Sequence, residues 1–230
     1  MRPRGRVVGS VRNNPSGIPP GMTNSQMPQE IASRPVAMKR VLALPGSIRR
    51  GSYNRLLLTA AVECAPAGMA VLIYDELASI PLFNEDLELA TGSGPDVVRR
   101  LRRQVASADG LLFATPEYNQ SIPGVLKNAI DWLSRPGPDE VLVGKPVAVI
   151  GASSGRWGTR LAQSALRQVL YATESLVMVK PGMYVREAER LFDEAGRLVD
   201  QSTRKLLEAV LAVFANWIDL VAPDRGQIPR

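Results

Sequence analysis

The stretch "GSIRRGSYN", Gly46 to Asn54, places the hydroxyls of Ser47 and Ser52, the guanidinium of Arg49 and the amide of Asn54 between the apolar run "VLALP" and the helical run "RLLLTAAVEC". All of these groups can donate hydrogen bonds. The backbone N–H groups that open the helix add further donors at the positive end of its dipole, and a phosphate accepts from every one of them. A helix cap needs one Ser or Asn, and this loop holds three such residues and an arginine, which favours phosphate binding over capping alone. It is neither of the common nucleotide signatures. A Walker loop needs Lys followed by Ser or Thr after a second glycine, and a dinucleotide fingerprint needs three glycines at fixed spacing. Arg50 is expected to be a solvated neighbour.

Two further stretches are rich in polar residues. In "TPEYNQSIPG", Glu117, Tyr118 and Asn119 leave an apolar run between Pro116 and Pro123, and proline restrains both its own φ and the residue before it. A stiff platform for a flat ligand and an ordinary rigid turn with a surface tyrosine fit these residue types equally. In "GASSGRWG", Gly151, Gly155 and Gly158 would let backbone approach a ligand closely, although a lone glycine-rich loop is weakly specific. Arg156 and Trp157 beside them suit a ligand, a second subunit or plain exposure.

Other candidates read as structural. Asp75, Glu76, Glu85, Asp86 and Glu88 follow the second apolar run, where nothing completes a metal set, so a solvated acidic loop and no metal site are expected. Lys127 and Asp131, four apart, read as a surface pair. Trp132 borders the stripe Leu126, Ala129, Ile130 and Leu133 as packing or a subunit contact.

Composition excludes much else. The 230 residues contain no histidine and one cysteine, Cys64. Imidazole catalysis, disulfide frameworks and thiolate metal centres are thereby removed, and Cys64 reads as a small buried apolar residue. The net charge is +6, of which residues 1–37 supply +4 from five arginines and one acid. The remainder, with 23 basic and 21 acidic residues and only 5% aromatics overall, lacks the basic stripe and stacking residues that nucleic acid needs. No nucleic-acid partner and no membrane span are expected. The most apolar long stretch, "LLEAVLAVFANWIDLVA", carries Glu208, Asn216 and Asp219. Its large residues recur at the spacing of an amphipathic helix.

The elements that position these loops follow from the pattern. Residues 1–37, rich in Pro, Gly, Ser and Asn, read as a disordered extension. They lack a signal-peptide core, and their prolines and glycines break the amphipathic helix of a transit peptide, so a cytoplasmic location is expected. "MKRVLALPGS" also reads as a natural beginning at Met38. From there to 222 the pattern predicts one domain, followed by a tail at 223–230. Five apolar strands, "KRVLALP", "MAVLIYD", "DGLLFATP", "KPVAVIGAS" and "SLVMVKP", alternate with five helices. Continuously apolar strands belong to a parallel sheet covered on both faces. The expectation is a doubly wound, flavodoxin-like α/β fold with five strands in the order 2-1-3-4-5, whose ligands lie beyond the strands' carboxyl ends. That rule selects the loops after the first, third and fourth strands, the three stretches described above.

"GSIRRGSYNRLL" matches the pattern G-S-x-R-x-x-S-x-N-x-x-L, and "PEYNQSIPGVLKNAIDWLSR" resembles the second signature of the NADPH-dependent FMN reductases; "IPLFNEDLE" and "GTRLAQSALRQVL" also look like family segments. The resemblance spans roughly 39–181. It implies that Ser47, Arg49, Ser52, Tyr53 and Asn54 hold the phosphate and ribityl chain of FMN. Pro116, Glu117, Tyr118 and Asn119 would border the isoalloxazine ring, and Ser153, Ser154 and Gly155 would close its other edge. It further implies a homodimer or homotetramer. The reaction implied is a ping-pong one, with NADPH or NADH as hydride donor and a small-molecule acceptor such as a quinone, free flavin, chromate or azo compound. No protein acid or base is expected, which suits the absence of histidine. Two alternatives are a flavodoxin-like electron carrier without a nicotinamide site, disfavoured because flavodoxins are usually strongly acidic, and a flavin-free binding module on the same fold.

Overall fold

The computed structural model describes residues 38–136 and 140–221. The expected extension at 1–37, the last residue of the expected domain and the expected tail at 223–230 lie outside the described residues. Strand β1 (Lys39–Pro45) leads into α1 (Tyr53–Glu63), then β2 (Met69–Ile73), α2 (Glu85–Thr91) and α3 (Asp96–Ser107). Next come β3 (Gly110–Ala114), α4 (Gly124–Leu133), β4 (Pro146–Ala152) and α5 (Arg160–Ala172), then β5 (Leu176–Val177), β6 (Met183–Val185) and α6 (Gln201–Val221).

The strands pair in parallel in the order β2-β1-β3-β4-β5, as the alternating pattern predicts. Because side chains alternate across a pleated strand, each central strand feeds two cores. Val41, Ala43, Leu112, Ala114, Ala148 and Ile150 pack with α1 and α6. Leu42, Leu44, Leu111, Phe113, Val147 and Val149 pack with α3, α4 and α5 on the other face. Helix α6 buries Leu207, Val210, Leu211, Phe214 and Ile218. Its Trp217 stays partly buried and donates its indole N–H to the Leu176 carbonyl at 2.9 Å.

Two segments differ from their expected form. The run after Pro181, read as loop, contains β6, which pairs with Ile150, Gly151 and Ala152 of β4. β5 and β6 thus divide the fifth place in the sheet along one neighbour, with Met183 and Val185 buried and Tyr184 facing out. The acidic loop contains α2. Asn84 caps it by accepting from the Asp86 N–H at 2.9 Å, and Gly92 ends it in a left-handed conformation with φ 76°. Glu85, Asp86 and Glu88 occupy its first turn, where the helix dipole favours negative charge. Glu85 and Glu88 also pair with Arg135 at 2.7 and 2.8 Å. Trp132 is fully buried and donates to the Pro81 carbonyl, so it is packing.

Candidate active site

Parallel topology delivers the loops after β1, β3 and β4 to the same edge of the sheet, and specific contacts fasten them to one another. The N–H of Gly46 donates to the Ala114 carbonyl at 2.7 Å. A Cβ on Gly46 would stand 2.9 Å from Pro116 Cδ, so only glycine lets the first loop lie this close to the second. Above that contact, Ser47 Oγ and the Tyr118 hydroxyl are 3.4 Å apart. The third loop is held to the second by Glu117, whose Oε2 accepts from the N–H groups of Leu161 and Ala162 at 2.8 and 3.0 Å. These are orphan donors of the first turn of α5, and Thr159 at the cap position makes no side-chain bond to them.

In the first loop, Ser52 has extended backbone and its Oγ accepts from the Arg55 N–H at 3.4 Å, so it does cap α1. Tyr53 and Asn54 open the helix with N–H groups that have no intrahelical acceptor. The N–H groups of Ile48, Arg50 and Gly51 have no main-chain acceptor among the described residues. Arg49 and Arg50 are both exposed. The Arg49 guanidinium lies 5.7 Å from the centre of the Tyr53 ring and has no carboxylate partner among the described residues. Tyr53 in turn stacks on Phe192, with ring centres 6.1 Å apart. Phe192 comes from the segment after Pro181 that sequence reasoning left unassigned. Asn54 stands apart from the other donors, because its side chain is buried and engaged: Nδ2 donates to the Ala152 carbonyl and Oδ1 accepts from the Ala152 N–H, each at 2.8 Å.

The second loop is a tight hairpin. Tyr118 and Ser121 exchange N–H···O bonds of 3.0 Å, and the two residues between them, Asn119 and Gln120, have φ of 50° and 63°. Positive φ at both central positions is the geometry of a type I′ turn, and for Gln120 it is a strained conformation. Pro116 is buried beneath the loop while Tyr118 and Asn119 are exposed. In the third loop Ser153 Oγ accepts from the Gly155 N–H at 3.0 Å, and the Ser153 N–H donates to the Val185 carbonyl. Ser154 and Gly155 are exposed.

The donor set fits a phosphate monoester attached to a flat ring. Free N–H groups at a helix start and an unpaired guanidinium suit the anion, and an exposed tyrosine on a rigid turn suits the ring. A cavity of about 610 Å³ between α2 and α3, whose wall includes Glu88, Arg99, Arg102 and Arg103, is built by none of the three loops.

Comparison with known proteins agrees with this chemistry. Residues 39–190 match the family model described as NADPH-dependent FMN reductase. The NAD(P)H-dependent FMN reductase of Pseudomonas aeruginosa is 46% identical over 179 residues, covering 78% of this chain and 95% of that protein. A 2-hydroxy-1,4-benzoquinone reductase of Burkholderia is 41% identical over 179 residues, covering 78% of this chain and 96% of that protein. Among solved structures, the flavoenzyme NAD(P)H:(acceptor) oxidoreductase of Paracoccus denitrificans superposes with a TM-score of 0.72 at 34% identity, covering 79% of this chain and 98% of that one. With the flavodoxin-like sheet order and three loops gathered at the strands' carboxyl ends, the chain belongs to the NADPH-dependent FMN reductase family, oxidoreductases that use FMN and a nicotinamide hydride donor.

Proposed function

We propose that the three loops form a single FMN site in a quinone-reducing enzyme and that each has a separate task. Arg49, Ser47, Ser52 and the N–H groups of Tyr53 and Asn54 hold the phosphate end. Pro116, Tyr118, Asn119 and the main chain of Glu117 border the ring, and Ser153, Ser154 and Gly155 close its other edge. When bound, FMN supplies the two-electron chemistry that no side chain here can perform. The protein contributes position: the strained turn at Asn119 and Gln120 fixes the rim, and Gly46 brings the first loop against the second. The Glu117 carboxylate is committed to the start of α5, which leaves it a positioning residue. Asn54 likewise contributes its N–H to the ligand and its side chain to the scaffold.

The observation that carries this reading is the contact between Ser47 and Tyr118, which joins a phosphate-type loop to an aromatic platform. The acceptor is a quinone, a reading supported by the names of the relatives. Exposed Leu161 beside the site supports a homodimer or homotetramer. No helix among the described residues is long and apolar enough to cross a membrane, and we place the enzyme in the cytoplasm. Residues 38–222 constitute its one domain. Steady-state oxidation of NADPH by the FMN-loaded protein, dependent on added benzoquinone, is the expected result. An FMN-loaded protein that leaves NADPH unconsumed in the presence of the quinone would overturn the reading.

A further inference from the structure

Beyond Gly155 the third loop runs into a groove of about 340 Å³ lined by Arg156, Trp157, Arg160, Tyr184, Arg186 and Leu206. Among the described residues no carboxylate lines it, and the nearby Glu187 is paired with Arg190 at 3.1 Å. Three guanidinium groups therefore share one concave surface without an internal counter-charge. Two of them lie over aromatic rings. Arg156 is 4.8 Å from the centre of the Trp157 ring, and Arg160 is 5.8 Å from that of Tyr184. Both rings retain substantial exposed surface, with Trp157 66% and Tyr184 40% accessible. An aromatic surface backed by guanidinium is a stacking platform for a purine, and clustered arginines select phosphate over neutral groups.

The groove is also mechanically continuous with the third loop. The Ser153 N–H donates to Val185, and the Glu187 N–H donates to the Gly155 carbonyl at 3.3 Å. The segment that carries Tyr184, in β6, and Arg186, just after it, is thus fastened to the loop proposed to edge the flavin. A ligand with a flat ring at one end and a phosphorylated purine nucleoside at the other matches the chemistry of both places.

We propose that this groove binds the adenosine 2′-phosphate end of NADPH, with Trp157 or Tyr184 stacking the adenine and Arg156, Arg160 and Arg186 binding the 2′-phosphate. The groove thereby sets a preference for NADPH over NADH. The inference rests on the FMN reading for its orientation, but its binding chemistry can be measured separately.

The probe is adenosine 2′,5′-bisphosphate, titrated calorimetrically into the FMN-loaded protein beside 5′-AMP and inorganic phosphate. The bisphosphate is expected to bind at least about tenfold more tightly than 5′-AMP, since the extra phosphate adds charge-assisted bonds. Arg160→Ala and Arg186→Ala are each expected to weaken it about tenfold and to lower the NADPH to NADH ratio of kcat/KM by a similar factor, with Arg186→Lys restoring part of the loss. Equal affinity for the bisphosphate and 5′-AMP would overturn the proposal, as would tight binding of phosphate alone or an unchanged NADPH to NADH ratio in both alanine variants. Light scattering on the same variants identifies the alternative occupant: loss of bisphosphate selectivity with the oligomer intact supports the nucleotide site, whereas loss of the oligomer with bisphosphate selectivity unchanged, or absent already in the parent protein, makes the groove a contact between copies and overturns the proposal. Absorbance titration with FMN separates the two claims. A protein that binds the bisphosphate selectively yet takes up no FMN keeps the groove and loses the flavin site.

Discussion

The side chain of Asn54 pairs with the main chain of Ala152 like one base with another, donating from Nδ2 and accepting at Oδ1 with both distances 2.8 Å. The two residues are 98 positions apart, and their contact ties the start of α1 to the carboxyl end of β4. Asn54→Asp keeps the shape but places a carboxylate against a carbonyl oxygen, and Asn54→Leu leaves both main-chain groups of Ala152 without a partner. Each is expected to cost about 1–3 kcal/mol, read as a lowered urea midpoint with an unchanged m-value. A variant as stable as the parent would show that the pair contributes nothing.

Glu117 makes the corresponding tie between the second and third loops. Glu117→Ala should cost about 1 kcal/mol through loss of the cap on α5, with Glu117→Gln intermediate because one acceptor oxygen survives while the charge favoured by the helix dipole does not. Thermal unfolding of the three proteins at neutral pH orders them parent, Gln, Ala. The reverse order for the two variants would remove Glu117 from its capping role.

Asn54 and Glu117 also mark where the sequence was readable and where it was not. The residue types of Gly46–Asn54 point to an anion site because donors outnumber what a cap requires. A sequence cannot show which of those donors a distant strand will claim, and Ala152 claimed the Asn54 side chain. Likewise the sequence places Glu117 in the loop after β3, but its bond to the start of α5 depends on folding. The strand order was legible from apolar runs with helical crossovers. Strand β6 was not, because "MYV" is three residues long and follows Pro181 and Gly182. Helix α2 was hidden by its acids, which resemble a solvated loop until Asn84 and Gly92 are recognised as its two ends. Phe192, which stacks on Tyr53, lies in a stretch with no periodicity and gave no signal.

Gly151 is the tightest point under the site. A Cβ there would overlap both Thr159 Oγ1 and the carbonyl oxygen of Thr115, and the carbonyl belongs to backbone that cannot swing away. Gly151→Ala should therefore destabilise by about 3 kcal/mol or more, seen as a fall in Tm together with weakened FMN binding. An unperturbed Tm would mean that the second and third loops can separate freely.

Tyr74 provides a pH signature away from the site. Its hydroxyl is buried without a hydrogen-bond partner among the described residues, and burial, reinforced by the nearby Glu76 and opposed by Arg100, pushes its pKa up to about 12. In the unfolded chain the phenol ionises near pH 10. The folded state holds its proton to higher pH, so the stability from this group is fully present below about pH 10 and is lost as pH rises from there through about 12. Tyr74→Phe should flatten this alkaline decline, and at neutral pH it should be neutral or slightly stabilising because no bond is lost. Urea titrations at pH 8 and pH 11 compare the two proteins. An equally steep decline in the variant would assign the alkaline loss to other groups.

The account as a whole depends on Arg49, the one side-chain cation in the first loop that lies over Tyr53 and has no carboxylate partner among the described residues. The most direct measurement is the FMN dissociation constant of the parent and of Arg49→Ala, from the quenching of flavin fluorescence at fixed ionic strength. Loss of a charge-assisted contact to phosphate is worth about 1.5–3 kcal/mol, so the variant should bind FMN about tenfold to a hundredfold more weakly, with riboflavin affinity nearly unaltered. Equal FMN affinity in the two proteins would contradict the phosphate assignment.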